Sequence, residues 1–141
     1  AIDEYAKRLG RYCKLDIIEL PDEKTPDNAS EKEELQIKDK EGELILSKIK
    51  DNMFVVAMDL NAKQMTSEEF SKFLDTQGVI GNSNIAFVIG GSLGLSQNVI
   101  KRANHKICFS KMTFPHQLAR LLLLEQLYRA YKINSGSAYH K

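Results

Sequence analysis

Apolar side chains recur at helical spacing in the first ten residues of the chain. Four of them follow the i, i+3, i+4, i+7 order of one helix face: Ile2, Tyr5, Ala6 and Leu9. Gly10 comes directly after them, as is common where a helix ends. The pattern predicts an amphipathic helix over 2–9. Residues 13–20 alternate in part and are rich in Ile and Leu, which predicts a strand that stops at Pro21.

Two segments have the form of a capping box, in which a hydroxyl and a glutamate three residues later satisfy each other's backbone amides at a helix start. Ser30 with Glu33 predicts a helix from 30 to about 50. Thr66 with Glu69 predicts a second helix, whose apolar residues Phe70 and Phe73 share one face.

Continuous apolar runs at 54–58 and 85–89 are typical of strands buried on both faces of a parallel sheet. A shorter strand is predicted at 106–109, after a helix that Ser96 caps and that ends near 102. Pro115 fits the first turn of a last, long helix to about 133. This alternation predicts an α/β fold with a parallel sheet, helices on both faces and a ligand site beyond the carboxyl ends of the strands.

The length of 141 residues predicts a single domain, with 43% apolar and 28% charged residues, as in a globular protein with a hydrophobic core. No stretch of about 18 uninterrupted apolar residues exists, and the apolar residues 121–124 lie between Arg120 and Glu125, so no membrane span is predicted. The first residues do not resemble a signal peptide, and the cytoplasm is the expected location. The two cysteines, Cys13 and Cys108, lack Cys-x-x-Cys spacing and are expected to be buried free thiols.

Basic residues are concentrated in the last third of the chain. Residues 1–83 hold 12 Lys and Arg against 18 Asp and Glu, whereas residues 84–141 hold 8 against one, Glu125. The net charge of +1 alone argues weakly against nucleic-acid binding. The asymmetry slightly favours a one-sided surface for RNA or a nucleotide, although the basic segment could also pair with the acidic half.

The strand at 85–89 runs into a glycine-rich turn, Gly-Gly-Ser-Leu-Gly at 90–94. Glycine allows backbone to approach a ligand closely, but a plain tight turn explains this segment about as well. The spacing fits neither the dinucleotide fingerprint nor the phosphate-binding loop. A second unusual segment, Phe-Ser-Lys-Met-Thr-Phe-Pro-His at 109–116, connects a strand to a helix. On composition alone, an ordinary connection with Met112 and Phe114 packed in the core is favoured.

Taken together, the segments Phe-Val-Ile-Gly-Gly-Ser at 87–92, Phe-Ser-Lys-Met-Thr-Phe-Pro-His at 109–116 and Ala-Tyr-His-Lys at 138–141 resemble the ribosomal RNA large subunit methyltransferase H (RlmH) family. They occur in that family's order, and the similarity extends to 5–12 and 21–24. The resemblance implies a SPOUT-type α/β fold whose C-terminal part forms a trefoil knot, an exception to the general absence of knots. Family members begin with an additional strand, so the resemblance also implies an N-terminally incomplete chain.

The resemblance further implies an enzyme that uses S-adenosylmethionine to methylate N3 of a pseudouridine in 23S ribosomal RNA, in the large subunit or the assembled ribosome. The cofactor is expected in the knot, where backbone groups bind adenine and apolar side chains form walls. The positions implied for cofactor binding are Met58, Gly90, Phe109, Ser110, Lys111, Met112, Thr113 and Phe114. No metal is required, and His105, His116 and His140 lack the close spacing of a zinc site.

A base is needed to remove the N3 proton, and His140, Tyr139 and His116 are the candidates for substrate contact or proton handling. Arg129, Lys132 and Lys141 are expected to meet RNA.

The wide apolar stripe of the last helix is consistent with the family's homodimer, in which each C-terminal tail could reach the neighbouring subunit's cofactor. Two alternatives stay open: a non-catalytic RNA-binding module that uses the basic C-terminal third, and a Rossmann-type nucleotide enzyme.

Overall fold

A computed structural model of the protein describes residues 1–21 and 25–136 and contains five helices and three strands within them. In chain order these are α1 (Ile2–Leu9), α2 (Glu31–Lys48), β1 (Phe54–Met58), α3 (Ser67–Val79), β2 (Ile85–Val88), α4 (Gln97–Arg102), β3 (His105–Ile107) and α5 (His116–Asn134). The α/β class predicted from the sequence is confirmed.

The strands form one parallel sheet in the order β2-β1-β3, with β1 in the centre. Val55, Val56 and Ala57 of β1 are fully buried. Burial on both faces explains why this strand is a continuous apolar run rather than an alternating one.

The sheet belongs to a compact unit made of 19–63 and 84–113, which also contains α2 and α4. Its core is built on Val55, Val88 and Val99, with apolar residues of α2 packed against them. Gly42 of α2 lies so close to α4 that a Cβ atom at this position would overlap the Ser96 side chain. The two helices can therefore approach each other only because residue 42 is glycine.

The second compact unit consists of 1–18, 64–83 and the residues from 114 onward, and it contains α1, α3 and α5. The hydroxyl of Ser67 donates to Gln126 Oε1 at 2.7 Å, and Asn134 Nδ2 donates to the Ser71 carbonyl at 3.0 Å, so the N-terminal part of α3 is joined to α5 at two points. Buried Leu123, Leu124, Leu127 and Ala130 form the inner face of α5. The single domain predicted from the length stays a prediction.

Both predicted capping boxes are present. Ser30 Oγ accepts from the Glu33 amide at 3.2 Å, and Thr66 Oγ1 accepts from the Glu69 amide at 3.1 Å. Each glutamate carboxylate accepts in return from the amide of its capping residue. α2 and α3 accordingly begin one residue after their caps.

The strand predicted at 13–20 is wrong. Residues 14–20 carry no regular structure, and Ile17 and Ile18 are exposed. Alternation describes which side chains fit a pleated strand, but a strand also requires a neighbour with which to pair. The third strand is present but begins one residue earlier and ends two residues earlier than predicted, since β3 covers His105–Ile107 rather than 106–109.

Among the described residues, none of the helices is sufficiently long and apolar to cross a membrane.

Candidate functional site at the carboxyl ends of the strands

The three strands end level with one another at one edge of the sheet. Ala57 is opposite Val88, and Met58 is opposite Ile107. Because all strands are parallel, the segments that leave β1, β2 and β3 all begin at this edge, with the end of β1 in the middle.

Three of the residues predicted for cofactor binding are located at this edge. Met58 is the last residue of β1, whereas Gly90 and Phe109 each follow two residues after a paired position, Val88 and Ile107 respectively. The register therefore brings to one edge positions that are 19 to 51 residues apart in the sequence.

The turn after β2 is a tight structure built on glycine. The Gly94 amide donates to the Gly91 carbonyl at 3.0 Å, and Gly94 has a φ of +86°, which side chains disfavour. A Cβ atom on Gly90 would lie 2.8 Å from the Gly94 carbonyl carbon and 3.0 Å from a methyl of Leu95. Glycine is thus required at residue 90 by the turn's own packing.

The segment that follows β3 is held by side-chain hydrogen bonds to its own backbone. The buried Cys108 thiol donates to the Ser110 carbonyl at 3.0 Å, and the Met112 amide donates to Ser110 Oγ at 3.0 Å. The Cys108 amide donates to the Lys63 carbonyl at 3.3 Å. These bonds organise the segment without occupying the side chains of Lys111 and Thr113, which are exposed.

Met112 is 73% exposed. The alternative that this methionine packs into the core, which composition alone favoured, is therefore wrong. An apolar side chain held in solvent by an ordered turn is suited to covering an apolar ligand. Phe109 and Phe114 are half-buried, and Phe114 belongs to the unit that contains α5.

Sequence analysis missed Asp59, which directly follows β1 at the same edge. Its amide donates to the Ile107 carbonyl at 2.9 Å, and its Oδ1 accepts from the Asn61 amide at 3.1 Å. A carboxylate immediately after a buried parallel strand was the signal that could have identified it. In the structure Asp59 shapes the turn that leaves β1.

The residues predicted for substrate contact belong to the compact unit that contains α5, or lie outside the residues that the structure describes. His116 is the first residue of α5 and is half-buried. Tyr139, His140 and Lys141 lie outside the described residues. Within the described ranges, no three His, Cys, Asp or Glu side chains are grouped so that they could hold a metal ion.

Arg129 and Lys132, predicted to meet RNA, both contact side chains of their own unit. Arg129 Nε donates to Glu125 Oε1 at 3.0 Å, one helical turn away. Lys132 Nζ lies 5.6 Å from the ring centroids of both Tyr12 and Tyr128. The neighbouring Tyr131 is partly buried, and this burial, with a smaller contribution from Cys13, raises its pKa to about 12.

Comparison with known proteins finds similarity along the whole chain. A family model described as "Predicted SPOUT methyltransferase" matches residues 1–140. Ribosomal RNA large subunit methyltransferase H 1 of Clostridium perfringens is 75% identical over 141 residues, which are 100% of this chain and 89% of that protein. Proteins named ribosomal RNA large subunit methyltransferase H from Clostridium beijerinckii and Clostridium tetani are 71% and 67% identical with the same coverage.

Proposed function

This chain belongs to the SPOUT methyltransferase family, in the group of ribosomal RNA large subunit methyltransferase H, and we propose that it methylates N3 of a pseudouridine in 23S ribosomal RNA. The methyl donor is S-adenosylmethionine, and the substrate is the large subunit or the assembled ribosome. The observation that carries this proposal is the 75% identity over the whole chain to ribosomal RNA large subunit methyltransferase H 1 of Clostridium perfringens.

The geometry of the sheet supports a cofactor site at the carboxyl ends of the strands. Met58, Gly90 and the segment 109–113 all lie at or begin from this edge, where Met112 is exposed. Such an edge provides backbone donors and acceptors for an adenine and apolar side chains for its faces. Phe114 is the last of the residues that we propose for cofactor binding.

When bound, S-adenosylmethionine supplies an activated methyl group with a good leaving group, so little further activation is required. The protein's part is to orient the RNA base toward the donor, to exclude water and to handle a proton. The N3 nitrogen of pseudouridine carries that proton, which must leave for the nitrogen to attack. His116, Tyr139 and His140 are the proposed residues for substrate contact and proton transfer.

Phosphate contacts are proposed for Arg129, Lys132 and Lys141. Arg129 is fixed by Glu125 through contacts at 3.0 Å and 2.5 Å, so its guanidinium is oriented before RNA arrives. An oriented cation loses less side-chain entropy when it binds than a mobile one.

The knotted C-terminal part, a homodimer and a cytoplasmic location belong to the same proposal. Leu118 of α5 is exposed, and Leu121 and Leu122 are half-buried, which supports a helix with apolar surface left for a second subunit. In the dimer, the C-terminal tail with Tyr139 and His140 would complete the site of the neighbouring subunit.

Titration calorimetry combined with methyl transfer tests the proposal. The protein is expected to bind S-adenosylmethionine and not NAD, and to incorporate labelled methyl groups into ribosomes that lack the modification. Binding of NAD instead would indicate a Rossmann-type nucleotide enzyme. Ribosome binding without methyl incorporation would indicate an RNA-binding module that uses the basic C-terminal third.

A further inference from the structure

Four tyrosines and two basic residues meet where α1 packs against α5. We call this group the tyrosine–cation cluster: Tyr5, Arg8, Tyr12, Tyr128, Tyr131 and Lys132. Residues 5, 8 and 12 share one face of α1 and the turn after it, and residues 128, 131 and 132 share one face of α5. The group lies within the compact unit that contains α1, α3 and α5.

The rings form a continuous aromatic surface. Tyr12 stacks on Tyr131 with 5.2 Å between centroids and an interplanar angle of 13°. Tyr128 meets both Tyr5 and Tyr12 edge-to-face at 6.2 Å. These are favourable aromatic geometries, and they contribute to the packing of α1 against α5.

Both cations are positioned over the same ring. Arg8 Cζ lies 5.7 Å from the Tyr128 centroid, and Lys132 Nζ lies 5.6 Å from it. Each also has a second ring, Tyr5 for Arg8 and Tyr12 for Lys132. Hydrogen bonding to Tyr12 is the main cause that raises the pKa of Lys132, so the lysine remains charged.

Two like charges that share one ring repel each other, and packing of the two helices does not require either charge. An anion that reaches both side chains would offset that repulsion. The Glu4 carboxylate contacts this group, because it accepts from Arg8 Nε at 3.0 Å. With side-chain exposures of 45% and 59%, the Arg8–Glu4 pair is of the surface type that contributes about 1 kcal/mol or less, so an incoming anion can replace it.

We propose that Arg8 and Lys132 together bind a backbone phosphate of the RNA substrate. The tyrosines hold the two long side chains in place, which lowers the entropy lost when the phosphate binds. Tyr12 is 37% exposed beside them, and its aromatic edge is available to the adjoining sugar or base. The inference rests on the proposed function only in taking RNA as the ligand, and it adds Arg8 and the tyrosines to the expected RNA contacts.

The salt dependence of ribosome binding tests this proposal. The dissociation constant of the full chain for unmodified ribosomes is measured at several potassium chloride concentrations with Mg²⁺ held constant. Arg8→Gln and Lys132→Gln should each weaken binding several-fold and lower the slope of log Kd against log salt by roughly 0.7 to 1. Arg8→Lys should keep the slope, since it keeps the charge.

Lys72 provides the matched control, because it is exposed on α3 and lies outside the cluster. Lys72→Gln removes the same charge and should leave the slope as in the wild type. Melting temperatures identify any variant that fails to fold.

Equal slopes of log Kd against log salt for the wild type, Arg8→Gln and Lys132→Gln would overturn the proposal that these two residues bind a phosphate. A change of oligomeric state in sedimentation with an unchanged slope would also overturn it, and would assign the cluster to a contact between copies of this chain. Binding is measured separately from methyl transfer, so the two proposals can fail independently. A wild-type protein that binds ribosomes without methylating them would contradict the proposed function. The slopes for Arg8→Gln and Lys132→Gln would still show whether these residues bind a phosphate.

Discussion

Gly90 is the single residue at which the turn after β2 tolerates least change. A Cβ atom there would lie 2.8 Å from the Gly94 carbonyl carbon and 3.0 Å from a Leu95 methyl, so it would have to displace main chain as well as a side chain. The sequence showed that this glycine allows close approach, but not that the neighbour is the turn itself. That distinction depends on the fold of residues 91–94 and cannot be obtained from residue type.

Gly90→Ala is expected to lower the free energy of unfolding by about 1 to 3 kcal/mol, as overpacking usually does. Since the turn is displaced, binding of S-adenosylmethionine should weaken as well. Urea unfolding and calorimetry measure the two effects.

Gly78→Ala is the matched control, because a Cβ at this position in the last turn of α3 meets nothing within 4 Å. Alanine should leave stability unchanged or increase it by up to about 1 kcal/mol. Equal stabilities for the wild type and Gly90→Ala would contradict the close packing of the turn.

His105 of β3 makes stability depend on pH. Burial lowers its pKa from the ordinary value of 6.5, so folding favours the neutral imidazole. As the pH falls through 6.5, the unfolded chain binds a proton that the folded chain does not, and stability falls. Chemical unfolding of His105→Gln should show a smaller loss of stability between about pH 7 and pH 5. Parallel pH profiles for the variant and the wild type would refute this.

The helices and strands differ in how far local sequence determines them. The capping boxes at Ser30 and Thr66 were predicted at the correct residues, because both partners lie within one turn of the helix. The strand predicted at 13–20 failed, since its existence depends on pairing with a strand elsewhere in the chain. Close helix packing at Gly42 was likewise not predictable, because the contact joins residues far apart in sequence.

The contact between α2 and α4 can be tested by a double-mutant cycle. Gly42→Ala should destabilise the protein by about 1 to 3 kcal/mol, because the new methyl group overlaps the Ser96 side chain. Ser96→Gly removes that side chain, and glycine remains an acceptable cap for α4. The double variant should therefore be more stable than the sum of the two single effects predicts. Strict additivity in urea unfolding would mean that the two residues do not meet.

The proposed site is formed by strand ends that only the whole sheet brings to one edge. The sequence predicted the parallel sheet and a ligand site at its carboxyl ends, and the order β2-β1-β3 places Met58, Gly90 and Phe109 there. The proposed roles of these residues came from resemblance to a family, because side-chain types at 58, 90 and 109 are ordinary. Asp59 was missed because its residue type alone does not distinguish it, whereas its position directly after a buried parallel strand would have done so.

Exchange of subunits tests whether the C-terminal tail acts across a dimer. His140→Ala and Gly90→Ala should each reduce methyl transfer when assayed alone. If the tail of one subunit completes the site of the other, a mixed dimer contains one site with neither change. Mixing the two variants under conditions that exchange subunits should then restore partial activity. A mixture no more active than the two variants separately would place tail and cofactor in the same subunit.

Mass spectrometry of nucleosides from treated ribosomal RNA tests the central claim most directly. Ribosomes that lack the modification are incubated with the protein and S-adenosylmethionine, and the large-subunit RNA is digested to nucleosides. One new product is expected, a pseudouridine that carries its added methyl group on N3. A methyl group on another nucleoside, or none in the presence of folded protein that binds the cofactor, would contradict it.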